Sequence, residues 1–438
     1  MPRIVRLLLA SVMLATLVSM LLSGAALAAT TYYVNPGDDI QAVINNASPG
    51  DTIQFAQGTY TLTSQLVINK SLTLKSEIPC RPNKPVIDGG GTVYRMLLID
   101  ADNVIIEGLE ITNGTGDLIR QSNAHSGTIV RHCIVHNALD DEGIQLSNCT
   151  NCYISSNLVY DVAQDGIAVS SNSVNCTIID NEIYDSRSEN GAIFVYDSYS
   201  ITIRGNYIHD TTAADGITID DSYSGTFTIV HNLIVNNTWQ GGNHISEEAD
   251  GNTIMIYSPR LGGTYNIEHN TLDNNTGVDG DGNPTGHGIY LNDGRAIGSS
   301  FVTNVKDNII TNHNGYGIRT YNWTNGAIVN YSYNDIWNNT LGITDGNPID
   351  GGDNISADPL FNSTHRLRTG SPAISAASDG YDMGVLFSYL LSQWMCPPPL
   401  PRVPVFPNIY IGIGAAFGAT AVAYLIRKRL VTPDCQSY

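Results

Sequence analysis

The sequence predicts an all-β solenoid, a single chain wound into a parallel β-helix with coils of about 24–26 residues, and three observations predict it. One short phrase keeps returning: NLVYDVAQDGIAV from Asn157, NEIYDSRSENGAIFV from Asn181, NYIHDTTAADGITI from Asn206 and NIITNHNGYGIRT from Asn308. The residue before each β-branched pair is Gly108, Cys133, Asn157, Asn181, Asn206, Asn232, Asn270, Asn308 and Asn334, in steps of 25, 24, 24, 25, 26, 38, 38 and 26. Each repeat also holds three short apolar words, such as Thr177–Ile179, Glu182–Tyr184 and Gly191–Val195. Corners of Asn, Asp, Ser or Gly separate them, and no word has helical periodicity or the length of a βα unit.

Taken in order, residues 1–28 read as an export signal: Arg3 and Arg6 precede an apolar run, and Ala26-Leu27-Ala28 offers small residues for cleavage. Tyr32–Val34 is a short strand. Asp38 or Asp39 can cap a brief helix through Ala47, with Ile40, Val43 and Ile44 on one face, and Pro49-Gly50 stops it. Such a helix covers the open end of a solenoid, which otherwise exposes core and unpaired strand backbone. The β-helix with this cap is expected over residues 29–388. Residues 389–408 form a Pro-rich spacer, and 409–426 an uncharged apolar run followed by Arg427, Lys428 and Arg429. At 1.5 Å per residue that run reaches about 27 Å, enough for a thin bilayer, and the basic trio marks its cytoplasmic side. The expected topology is single-pass type I, with 427–438 as an inner tail, the β-helix outside and the lipid bilayer as a partner.

Within the coils, the recurrent Asn has two donors and an acceptor, so stacked copies can hydrogen-bond along the axis, and it tolerates left-handed backbone at a bend. Gly143, Gly166, Gly191, Gly216, Gly288 and Gly317 form a second column before the third strand, expected where the chain turns sharply. Alternation then points Ile167 and Val169 inward, and Gln145, Ala168, Ile193, Thr218, Tyr290 and Arg319 outward.

These features resemble the right-handed parallel β-helix superfamily, with its pectate-lyase-like enzymes and carbohydrate-binding modules. GDTIQFAQGTY resembles its first coil, and ISADPLFNSTHRLRTGSPAISA, from Ile355 to Ala376, resembles the ADPLF…YRL…GSPAIDAG ending of surface members. His365 replaces the usual Tyr and Ser375 the usual Asp. The resemblance implies a polymer lying across an outer sheet between loop insertions. The words VPVFPN, apolar run and RKR also resemble archaeal surface-protein sorting signals, with Val405 where that family carries Glu.

The loops ahead of the Gly column end in Glu142, Asp165 and Asp215, which with Tyr290 and Arg319 are candidates for carbohydrate binding; as Asp-Gly dipeptides they also suit plain turns. Arg319 lies about seven coils from Glu142, so the two cannot share a site. The two 38-residue steps gather His, Arg and carboxylates, and Glu247, His287 and Arg295 are the catalytic candidates there; ornamental surface loops are the alternative. Asp279-Gly-Asp281-Gly-Asn283 places oxygens at alternate positions, as a calcium loop does, yet lacks the Gly and Glu that would complete one. Gly286-His287-Gly288 copies a polygalacturonase tripeptide without that family's companion words. Cys133, Cys149, Cys152 and Cys176 are disulfide candidates, with Cys152 and Cys176 one repeat apart; zinc needs a second Cys pair. Asn-x-Ser/Thr sequons recur from Asn46 to Asn362, and glycosylation suits an exported chain.

A formal charge of −20 leaves no basic stripe for phosphates, which excludes nucleic acid. The expected function is an extracellular surface protein that binds polysaccharide or contributes to the cell envelope. A polysaccharide lyase or glycoside hydrolase, and a purely structural or adhesive stalk, are the alternatives.

Overall fold

The computed structural model describes residues 29–77, 84–213, 215–240, 251–259, 262–279, 281–292, 301–321 and 328–385. The expected signal, spacer, membrane run and tail lie outside the described residues, as do Glu247 and Arg295. Among the described residues no helix is long and apolar enough to cross a membrane.

The chain winds through three long parallel sheets. Sheet 1 has 13 strands, from Thr31–Val34 to Ile349–Asp350; sheets 2 and 3 have 11 each, running from Thr59–Thr61 to Asp335–Trp337 and from Leu66–Ile68 to Gly342–Asp345. Each coil visits sheets 1, 2 and 3 in turn. A helix, α1, spans Ile40–Asn46 as anticipated; the Asp39 side chain accepts from the Ala42 N–H and caps it, while Ile40 and Ile44 are buried.

Inward positions stack into columns. Ile144, Ile167, Ile193, Ile217, Ile254, Ile289 and Ile318 are register partners on sheet 3 and all are fully buried. Burying identical branched side chains one above another satisfies the pleat and excludes water over the whole axis.

The Asn column is the spine of the corner between sheets 1 and 2. The Asn157 Nδ2 donates to Asn181 Oδ1 at 3.0 Å and to Val130 O at 3.0 Å, and its backbone N–H donates to the same Asn181 oxygen. The same pattern runs through Asn206, Asn232, Asn270, Asn308, Asn334 and Asn354. The left-handed residue of this bend is the one before each Asn, such as Ser156 (φ 54°), Asp180 (φ 55°) and His231 (φ 57°), so the Asn supplies hydrogen bonds and not the backbone twist.

Two expectations about sheet 3 need correction. The Gly column is there for space and not for a turn: none of its members has positive φ, but a Cβ on Gly288 would sit 2.2 Å from Ile310 Cγ2, and one on Gly166 2.7 Å from Ile183 Cγ2. Strand Ile193–Tyr196 is also shifted by one residue. Ala192, not Gly191, occupies the close-packed column, Phe194 faces outward, and Ile193 is core. One extra residue in that coil's loop moved the strand and inverted its faces.

After Asn354 the chain folds back against sheet 2. Ala373, Ala377 and Met383 pack on Ile309, while the Ser378 N–H and hydroxyl both donate to the Asp307 carboxylate.

Candidate functional site

Two outward columns line sheet 3. The column just before the strands reads Asp117, Glu142, Asp165, Gly191, Asp215, Asn252, His287 and Tyr316 by register. The column on the strands reads Arg120, Gln145, Ala168, Phe194, Thr218, Met255, Tyr290, Arg319 and Asp345. From Gln145 to Arg319 is six rungs, about 29 Å at roughly 4.8 Å each, so the acidic end and the Arg319 end are separate sites, as expected.

At the acidic end, oxygens of Asp117, Asp141 and Glu142 lie within 4.8 Å of one another. Asp117 is fully buried and pairs with Arg95 at 3.3 Å and Arg120 at 3.2 Å. Burial raises the Asp117 carboxyl above its ordinary range and pushes Glu142 up to about 10, where the neighbouring Asp141 and Asp117 add to it. Asp165 is buried and pushed up to about 7, chiefly by desolvation, and accepts from the Ser188 hydroxyl. Asp215 is buried too and accepts from the Asn252 N–H (2.8 Å) and the Thr218 hydroxyl (3.0 Å). Asp165 and Asp215 therefore fasten loop backbone beneath the surface and face no solvent.

At the other end, His287 and Tyr290 are fully buried although they belong to the outer face. The Tyr316 N–H donates to His287 Nδ1 at 2.8 Å. Burial, then the nearby Arg319 and His313, drive the imidazole pKa down to about 3, so the ring is neutral. With Nδ1 accepting, the one ring hydrogen sits on Nε2. That nitrogen lies 3.1 Å from Arg319 Nη1, which is also a donor. The guanidinium carbon is 5.7 Å from both the Tyr290 and Tyr321 ring centroids, and Arg319 Nε is 3.1 Å from Asp345 Oδ2. Two donors thus face each other beside an aromatic bed, His287 buried behind a partly exposed Arg319, and a single oxyanion would satisfy both.

Of the three catalytic candidates only His287 lies among the described residues, so their convergence rests on no contact. The Asp279 loop differs from a calcium loop. Asp279 Oδ1 accepts from the N–H groups of Asp281 (2.9 Å) and Asn283 (2.8 Å), and Oδ2 from the Asn283 amide (2.8 Å). Both oxygens hold the turn closed, and those bonds, the Asn283 side chain first, lower the Asp279 pKa. The four candidate cysteines are free thiols. Cys149, Cys152 and Cys176 bring their sulfurs within 4.8 Å of one another, whereas Cys133 caps the Asn ladder with its N–H on Asn157 Oδ1.

Sequence reasoning missed Asp117, whose signal was its place 25 residues before Glu142. It also missed a second buried ladder, Asn237 to Asn275 at 2.8 Å and His313 to Asn339 at 3.0 Å, at the corner between sheets 2 and 3.

Residues 44–256, just short of half the chain, match the family model described as periplasmic copper-binding protein (NosD). No curated protein matches the chain in sequence. Among solved structures, pectate lyase Pel9A aligns at 15% identity and a TM-score of 0.54, covering 82% of this chain and 96% of that one. A xylose complex of XylC aligns at 12% identity and a TM-score of 0.49, covering 76% of this chain and 87% of the other. A PL6-family alginate lyase, AlyGC, aligns at 15% identity and a TM-score of 0.45, covering 88% and 60%. The chain is thus a right-handed parallel β-helix protein, with the fold of pectate-lyase-like proteins and a NosD-like stretch over residues 44–256.

Proposed function

We propose that this is an exported surface protein that binds an acidic polysaccharide across sheet 3, with a sugar carboxylate bridging Arg319 and His287. The observation that carries the reading is the pair of facing donors, Arg319 Nη1 and His287 Nε2, 3.1 Å apart. An anion placed there accepts charge-assisted hydrogen bonds and relieves donor–donor repulsion. Tyr321, Tyr316 and Tyr257 are half-buried around it and offer ring surface to the sugar, while Tyr290 backs the guanidinium. The similar solved structure of a pectate lyase belongs to a protein named for a uronate polymer, which agrees with this chemistry.

A lyase or hydrolase reading has one specific support, a neutral histidine beside an arginine on the face where a polymer would lie. The test is to incubate the full chain with pectate, alginate and neutral glycans, measuring binding and product together. Binding of the uronate polymers without unsaturated or reducing-end product supports the binding reading. Product lost in H287Q moves the chain to the enzyme class, and no binding to any uronate removes the proposal.

Export and membrane anchoring through residues 409–426 belong to the same proposal. Protease accessibility of the β-helix on intact cells tests them.

A further inference from the structure

We infer that Cys149, Cys152 and Cys176 form a three-thiolate site for a single soft monovalent ion, copper(I), inside the β-helix. The site is remote from Arg319 and built by the coil geometry. Cys152 and Cys176 are register neighbours on sheet 1, because Tyr153 pairs with Thr177, so their side chains stand on successive rungs. Cys149 approaches from the corner that precedes Cys152, and its Sγ is 3.2 Å from Cys176 Sγ. All three sulfurs lie within 4.8 Å of one another, in residues at most 2% exposed.

Three sulfurs around one ion at about 2.3 Å stand about 4 Å apart, so the observed triangle needs only small side-chain rotations to close. The column is finite: by register Thr128 lies below Cys152 and Ile201 above Cys176, both buried, and the site therefore holds one ion and not a chain of them. The ligand number selects the metal. Zinc in a structural site takes four ligands, and no fourth His, Cys, Asp or Glu joins this group among the described residues. The hydroxyl of Ser173, 3.4 Å from Cys149 Sγ, already donates to Ser170 O at 2.6 Å. Copper(I) is content with three soft thiolates in an apolar shell. Binding displaces thiol protons, so it weakens as pH falls, and burial couples it to folding. A disulfide between two of the three is the competing fate, and it leaves the third thiol alone.

The test removes the four other cysteines of the sequence (C80S, C133S, C396S and C435S), and the full chain is reduced and titrated with copper(I) against bathocuproine disulfonate. The expected result is one ion retained per chain, with X-ray absorption giving three sulfurs at about 2.3 Å. Adding C176S should weaken retention by more than about tenfold, the loss that even an outer-shell partner causes. If circular dichroism shows the quadruple variant unfolded, the same absorption measurement on the otherwise native chain with and without C152S decides. No retained ion, two-sulfur coordination, or equal retention in C176S overturns the site. R319Q should leave copper retention unchanged, so loss of glycan binding and loss of the metal site are separately visible.

Discussion

The regular coils from Cys133 to Asn232 and the enlarged coils from Asn232 to Asn308 differ by about a dozen residues each, yet the Asn ladder does not register the change. Its amide bonds are 3.0 Å at Asn157–Asn181 and Asn181–Asn206, and 3.0 Å again at Asn232–Asn270 and Asn270–Asn308. The extra residues enter at the other two corners, where Thr238–Gln240 pairs with Thr276–Val278 in a small sheet of its own. What changes is the outer surface. In the regular coils the outer face of sheet 2 carries His136, Tyr160, Tyr184 and His209 stacked at 4.7, 4.9 and 5.2 Å, so ring faces are spent on one another. In the second enlarged coil and the one after it, on sheet 3, the rings surround Arg319 and a neutral histidine instead. A β-helix can hold its scaffold in one corner and vary its chemistry at the others.

The largest effect tests the constancy of that corner. Asn206→Ala leaves buried donors of Asn181 and the carbonyl of Ile178 without partners, a loss on the order of 4 kcal/mol. Asn270→Ala in an enlarged coil should cost about the same by chemical denaturation. A much smaller loss at Asn270 would mean the enlarged coils hang on something other than the ladder. Next in size, Arg319→Gln removes one charged donor and should weaken uronate binding by roughly 1.5–3 kcal/mol, or about 10–100-fold, with unfolding unchanged. Tyr184→Ala should leave that binding alone, and an equal loss there would erase the distinction between the faces.

A third prediction concerns the acidic end. The folded pKa of Glu142 is raised by burial, so the unfolded chain ionises first and the wild type loses stability as pH rises above about 4.5. Glu142→Gln removes that loss. Its advantage should be absent near pH 4 and grow to about 1 kcal/mol or more by pH 7, read from melting curves across pH. The smallest effect is expected at the stacked rings, where Tyr160→Ala forfeits two face-to-face contacts worth about 0.5 kcal/mol each beyond area, read by chemical denaturation.

The scaffold was legible because it rests on periodicity. Asn at fixed steps, three short words per coil and a capped helix at Ile40–Asn46 all follow from local spacing. The register of strand Ile193–Tyr196 was not legible, because Gly191 imitates the Gly column while loop length puts Ala192 there. The role of the glycines was also hidden, since close approach to Ile310 or Ile183 is a three-dimensional fact. Asp165 and Asp215 looked like surface acids because Asp-Gly marks a turn, and only packing shows them buried. The thiol triangle was half visible: Cys152 and Cys176 are a repeat apart, but Cys149 reaches Cys176 by a corner whose path the sequence does not specify.

The binding account stands most directly on one comparison: the affinity of the full chain for an oligogalacturonate and for its methyl ester, in wild type and Arg319→Gln. The wild type should bind the free acid at least about tenfold more tightly than the ester, and the variant should bind both equally weakly. Equal binding of acid and ester by the wild type would contradict a carboxylate held between Arg319 and His287.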